Sequence, residues 1–251
     1  MVGITIELTG RLKEKTLNRE QTTTKPETVE SPSDCRSGSI LGSLPSPFYD
    51  RDGITIYHAD CRVILPHLER FDAVVTDPPY GMGDKLTGGE GSRWRRHFKS
   101  ESHGWDKERP TTDTIRQVVG MGQQAIVWGG QFFDLGPARC WLTWNKIIRN
   151  WSSSEHELAW TNLDKPNRAF DYSHGQLASE GKHWHPTQKP LPLMQWCIRL
   201  LDEPETVLDP FAGAGTTLVA AKLSGVRAVG VEANLEYCEN AVKRLAQGVL
   251  F

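Results

Sequence analysis

An apolar run that ends at Asp-Pro, passes through Gly-x-Gly and enters a helix leaves this chain few architectures. It reads Thr206-Val207-Leu208-Asp209-Pro210-Phe211-Ala212-Gly213-Ala214-Gly215-Thr216-Thr217. Leu218-Val219-Ala220-Ala221-Lys222-Leu223 continues as the helix, with Thr216 or Thr217 near its start. Arg227-Ala228-Val229-Gly230-Val231-Glu232 is then a second short strand ending in an acid. Strand, crossover helix and strand make a parallel pair, so the expected class is α/β with a mostly parallel sheet.

Glycines let the backbone approach a ligand closely, and a helix N-terminus favours an anionic group such as a carboxylate. An acid about 20 residues past the loop, here Glu232, accepts from both hydroxyls of a ribose. A dinucleotide site would need a third glycine for its pyrophosphate, and Leu218 occupies that position. Asp209 before the loop also sits poorly with phosphate, whereas it suits a ligand bearing an amino group and a sulfonium. The nicotinamide oxidoreductase reading therefore ranks below a nucleoside one.

A second strand-like run, Phe71-Asp72-Ala73-Val74-Val75-Thr76, ends at Asp77-Pro78-Pro79-Tyr80. These residues suit holding an amino group on a flat aromatic ring. The Asp77 carboxylate accepts one amine hydrogen and the Pro78 carbonyl the other. Pro-Pro stiffens the turn, and Tyr80 offers a face for stacking. Taken alone, the tetrapeptide is equally a rigid turn after a strand.

Together the two motifs resemble the amino-methylating (N6-adenine/N4-cytosine) DNA methyltransferases that use S-adenosylmethionine, in the permuted arrangement called the β class. The resemblance runs from Ile54 to Leu245 and includes Val127-Trp128-Gly129-Gly130-Gln131-Phe132, Trp141-Leu142-Thr143-Trp144-Asn145-Lys146, Glu157-Leu158-Ala159-Trp160 and His185-Pro186-Thr187-Gln188-Lys189-Pro190. It implies a Rossmann-like fold with an antiparallel hairpin and circularly permuted motif order. Ile54 to Tyr57 would then form the sheet edge beside Ala228 to Val231. Asp77, Pro78, Pro79 and Tyr80 would hold a flipped base, with Asp77 an ionised acceptor.

On the cofactor side the resemblance implies Asp60 near the adenine of S-adenosylmethionine, with Asp209, Gly213 and Gly215 in the loop. Glu232 would hold the ribose, and Thr216 and Thr217 would cap the helix or meet a carboxylate. Phe211 lines the pocket or packs in the core, and Lys189 orients the cofactor end or caps a turn before Pro190. Asp in the first position of the amine motif is typical of the adenine enzymes. The expected reaction is thus N6-adenine methylation of DNA, with N4-cytosine methylation or a catalytically idle DNA-binding protein as alternatives.

The net charge of −2 does not favour strong non-specific DNA binding, so a local patch must attract the nucleic acid. Residues 85–109 supply one: Arg93, Arg95, Arg96 and Lys99, with Trp94 and His97 interleaved. Segments 84–111 and 161–184 are accordingly expected as DNA-recognition insertions, the latter polar and irregular, in a catalytic domain over 48–251. Residues 1–47 are rich in Thr, Ser, Glu, Lys and Pro and read as a disordered extension.

The five cysteines are scattered without any Cys-x-x-Cys, as reduced thiols of a cytoplasmic protein would be. His183 and His185 lack a companion ligand, so no metal is expected, and no apolar run is long enough for a membrane span. Glu155 and Glu157 read as exposed strand residues. The expected oligomeric state is monomer or homodimer.

Overall fold

The run Phe71–Thr76 places small and β-branched residues on successive positions, a pattern suited to a strand covered on both faces. Ala73 and Val75 enter one apolar cluster and Val74 the other, and all three are fully buried. The computed structural model describes residues 44–81, 109–148, 154–179 and 188–247.

The first half of the chain forms β1 (Tyr49–Arg51), β2 (Ile54–His58), α1 (Cys61–Ile64), β3 (Phe71–Thr76), α2 (Thr112–Gly120), β4 (Gly122–Trp128) and β5 (Trp141–Asn145). There follow β6 (His156–Thr161), β7 (Arg168–Asp171), α3 (His174–Ser179), α4 (Leu191–Leu200), β8 (Thr206–Asp209), α5 (Thr216–Leu223), β9 (Arg227–Glu232) and α6 (Leu235–Ala246). Among the described residues the strands make one sheet in the order β1-β2-β9-β8-β3-β4-β6-β5-β7. From β2 through β4 all neighbours are parallel. β1 is antiparallel to β2, and β6 is antiparallel to both β4 and β5.

Winding therefore reverses at β8, which lies between β9, its successor in the chain, and β3, from much earlier. Parallel neighbours release their loops at one end of the sheet, so the turn after β3 and the glycine loop after β8 emerge side by side. Register carries this outward: Ile54 pairs with Ala228 and His58 with Glu232. The expected permuted order is the one observed.

Two apolar layers hold the helices on the sheet. Leu193 and Cys197 of α4, Leu218 and Ala221 of α5, and Cys238 and Ala241 of α6 join one cluster. Ile64 of α1 with Ile115 and Val118 of α2 join the other. Burying each of these leucine, isoleucine and valine side chains contributes about 1.5–3 kcal/mol. Among the described residues no helix is long and apolar enough to cross a membrane.

Two expectations need correction. Ile54 to Tyr57 is not the sheet edge, because Tyr49–Arg51 pairs outside it. The segment 161–184 is not irregular throughout, since it carries β7 and α3. Phe170 is the one residue of β7 that is even half-buried, so the strand has no apolar alternation of its own. Parallel pairing to β5 holds it, helped by Asn145 Nδ2 donating to Asp171 Oδ1 at 2.8 Å. The helical stretch after Asp60 is one α turn followed by a 3₁₀ turn over Leu65–His67, which contains Pro66. Residues 1–43, the insertion residues 84–108 with Arg93, Arg95, Arg96 and Lys99, and His183 and His185 lie outside the described residues.

Candidate active site

A crevice of about 600 Å³ opens at the carboxyl ends of β2, β3, β8 and β9. The turn after β3 lines it through Asp77, Pro78, Pro79 and Tyr80, and the glycine loop through Asp209, Phe211 and Gly213. Asp60, Lys189, Thr216, Thr217 and Glu232 line it as well. Its size falls in the range of small-molecule sites.

On the glycine-loop side the acids are tied down by backbone. Glu232 Oε2 accepts from the Gly213 N–H at 2.8 Å, and Oε1 from the Asn234 N–H at 2.7 Å. Each oxygen keeps a second lone pair. Burial pushes the Glu232 carboxyl up, against the pull of those amides. Asp209 is nearly fully buried and accepts from Thr76 Oγ1 at 2.7 Å and from the Phe211 N–H at 3.1 Å, linking β3 to the loop after β8. Burial pushes its carboxyl up to about 6. Asp60 caps α1 through the Arg62 N–H at 2.8 Å and pairs with the Arg62 guanidinium at 2.6 Å, which holds its carboxyl below the usual range.

Arg244 of α6 donates to the Ala214 carbonyl at 2.8 Å and to Thr216 Oγ1 at 2.9 Å. Thr216 therefore accepts from the arginine and keeps its own hydrogen to donate. Gly215 does not line the crevice. It starts α5 in the left-handed region, φ +75°, and an added Cβ would stand 2.7 Å from Ala241 Cβ. The close approach it permits is to α6, not to a ligand. Phe211 meets both readings at once, lining the crevice and packing on the second cluster.

On the other side, Tyr80 donates its hydroxyl to Asp77 Oδ1, and its ring tilts against Phe132 with centroids 5.1 Å apart. Gly129, φ +66°, lies so close to that ring that any Cβ would overlap it. Lys189 was expected on the cofactor side or in a turn. Its ammonium instead hydrogen-bonds Asp77 Oδ2 and stands 3.0 Å from Glu157 Oε2. Glu157, expected to be exposed, is mostly buried and pairs through Oε1 with Lys146 at 2.7 Å. Burial and the Glu157 charge push the Asp77 carboxyl up while Lys189 pulls it back. Burial works against the Lys189 charge, but Asp77 and Glu157 outweigh it and hold the ammonium protonated.

Glu157, Lys146, Arg244 and Gly129 were thus missed as site residues. A Gly129-Gly130 pair after a strand was visible, but the ring it accommodates is 49 residues earlier. The ionic partners lie on separate elements, so no local spacing marks them. Arg109, where the described chain resumes after the basic insertion, also lines the crevice. Its guanidinium lies over the Phe133 ring, 5.9 Å from the centroid.

The crevice joins the glycine loop after β8 with the rigid turn after β3. Comparisons with known proteins place the chain among similar sequences and folds. Residues 127–243 match the family model described as DNA methylase. The type II methyltransferase M2.LlaDCHI of Lactococcus lactis subsp. cremoris is 25% identical over 264 residues, covering 85% of this chain and 96% of its own. The M1.HpyAVI–SAM complex superposes with a TM-score of 0.53 at 23% identity, over 76% of this chain and 98% of that one. The cytosine-N4-specific PvuII DNA methyltransferase gives 0.52 at 14% identity, over 79% and 88%.

Proposed function

Because the chain belongs to the amino-group (N6-adenine/N4-cytosine) DNA methyltransferase family, we propose that it moves a methyl group from S-adenosylmethionine to N6 of a flipped adenine in DNA. The observation that supports this reading is one crevice lined by Asp77 and Tyr80 on one side and by Gly213 and Glu232 on the other. Asp in the first position of the amine motif favours adenine over cytosine.

The residues present fit S-adenosylmethionine. Glu232 has lone pairs to spare for ribose hydroxyls, and Gly213 offers no side chain in the way. Thr216, with its hydrogen free of Arg244, and Thr217 at the start of α5 would take the carboxylate. Phe211 and Asp60 would border the adenine. When bound, the cofactor supplies a methyl group on a sulfonium, open to in-line attack.

The chain's own work is positioning. An exocyclic amine is a poor nucleophile because its lone pair is delocalised into the ring. Hydrogen bonds to the Asp77 carboxylate and the Pro78 carbonyl favour a pyramidal nitrogen and aim its lone pair. Tyr80 stacks on the extruded base. As the new N–C bond forms and the C–S bond breaks, the nitrogen becomes acidic and its proton leaves through Asp77 or to solvent. No cysteine is needed as nucleophile; burial raises the thiols of Cys61, Cys197 and Cys238 to about 11, 12 and 12.

Radiolabelled methyl transfer to unmethylated DNA, followed by nucleoside analysis, tests the proposal. N6-methyladenine is the expected product. N4-methylcytosine would move the target, and cofactor binding without transfer would make the protein an idle DNA-binding relative.

A further inference from the structure

Behind Asp77 stands a row of charges that the chemistry above leaves without a task. Lys146 Nζ lies 2.7 Å from Glu157 Oε1, Lys189 Nζ lies 3.0 Å from Glu157 Oε2, and Lys189 reaches Asp77 Oδ2. The side chains of Lys146, Glu157, Lys189 and Asp77 are 10%, 25%, 5% and 21% exposed. Strand register builds the far end: Trp144 faces Glu157 across β5 and β6, which makes Lys146 the diagonal neighbour of Glu157.

The four charges alternate in sign and cancel. Desolvating them costs several kcal/mol per ion, and apolar residues of similar volume would serve stability as well or better. Such a row, which starts at Asp77 and Lys189 in the crevice wall and runs behind it, calls for another purpose. Lys189 is also divided unequally. It hydrogen-bonds Asp77, whereas Glu157 Oε2 receives an ion-pair contact without hydrogen-bond geometry.

We propose that Glu157, backed by Lys146, is a positioning residue for methyl transfer: it draws the Lys189 ammonium partly off Asp77 and so sets how strongly that carboxylate can hold the substrate amine. This role rests on Asp77 being the amine acceptor of the proposed function. An ammonium committed wholly to Asp77 would compete with the amine for the same oxygen. One drawn wholly to Glu157 would leave a buried Asp77 to take up a proton and stop accepting.

The charged and titratable groups around Asp77 are Tyr80 on its own turn, Lys189 before α4, Glu157 on β6 with Lys146 behind it, and Asp209 at the end of β8. Removing the Glu157 charge takes away an anion and leaves Asp77 as the carboxylate that pairs with Lys189, so Asp77 stays ionised to lower pH. Removing the Lys146 charge turns Glu157 fully on Lys189, so Asp77 protonates at higher pH. Two variants that break the same ion pair thus shift Asp77 in opposite senses, which loss of packing alone would not do.

The test is the pH dependence of kcat on unmethylated DNA for wild type, Glu157→Gln and Lys146→Met, with cofactor affinity by calorimetry alongside. The acid limb should move down by about one pH unit in Glu157→Gln and up by about one in Lys146→Met, with cofactor affinity unchanged. If Glu157→Gln does not fold, the upward shift in Lys146→Met decides alone. Limbs that stay in place, or move in the same direction, overturn the role of Glu157 while the proposed function stands. A wild type that transfers no methyl overturns both.

Discussion

Lys189 and Asp77, 112 residues apart in the chain, are joined by a hydrogen bond from the buried ammonium to Oδ2 of the carboxylate. The bond fixes the acid of the turn after β3 against the segment that leads into α4. Asp77→Ala should therefore abolish methyl transfer while leaving cofactor affinity near normal, because Glu232 and the glycine loop are untouched. Radiolabel transfer and calorimetry measure the two halves. Substantial residual transfer would remove Asp77 from its assigned role.

Tyr80 contributes a ring against Phe132 and a hydroxyl to Asp77 Oδ1. Tyr80→Phe keeps the ring but deletes the donation to Asp77, a hydrogen bond to a charged group worth about 1.5–3 kcal/mol, and the longer acceptance from Lys189 Nζ at 3.4 Å; it should slow kcat roughly tenfold or more. Tyr80→Ala deletes the stacking face too and should be worse. Equal damage from both would assign the function to the hydroxyl.

At Gly129 a side chain meets two obstacles, a left-handed φ of +66° and the Tyr80 ring. Gly129→Ala should lower stability by about 1–3 kcal/mol in urea unfolding and reduce turnover by displacing Tyr80. Cofactor affinity should survive. Wild-type stability and turnover together would mean that the ring moves aside without consequence.

Glu232→Ala should weaken cofactor binding in calorimetry, since it removes the proposed ribose acceptor and leaves the Gly213 and Asn234 N–H groups without their carboxylate. Turnover at saturating cofactor should fall less than affinity does. An unchanged affinity would argue against the ribose role.

Burial pushes the Glu157 carboxyl up, yet Lys189 and Lys146 together hold it at about 2. A depressed acid adds stability that is fully present above its ordinary value of 4.5 and is lost as pH falls through about 2. Glu157→Gln should thus cost about 3 kcal/mol at neutral pH. The gap to wild type should narrow in urea unfolding at pH 3. An equal gap at both pH values would show that packing, not charge, carries the cost.

Much of this was legible in the chain itself. The strand ends at Thr76 and Asp209, the start of α5 and the acid closing β9 follow from local apolar runs broken by proline and glycine. These signals act over a few residues through backbone sterics, so a linear reading recovers them. The edge strands β1 and β7 escaped it, because their order comes from pairing with neighbours rather than from a pattern of their own.

Sequence alone determined the class of the sheet, the two motifs and the family they resemble. Only the tertiary structure decided that Lys189 pairs with Asp77, that Glu157 is mostly buried with Lys146 behind it, and that Gly215 faces α6. The reason is physical. A proline or a glycine dictates its own dihedral angles wherever it stands, but a charge chooses its partner by distance and desolvation. Those are set only when strand order brings remote segments together.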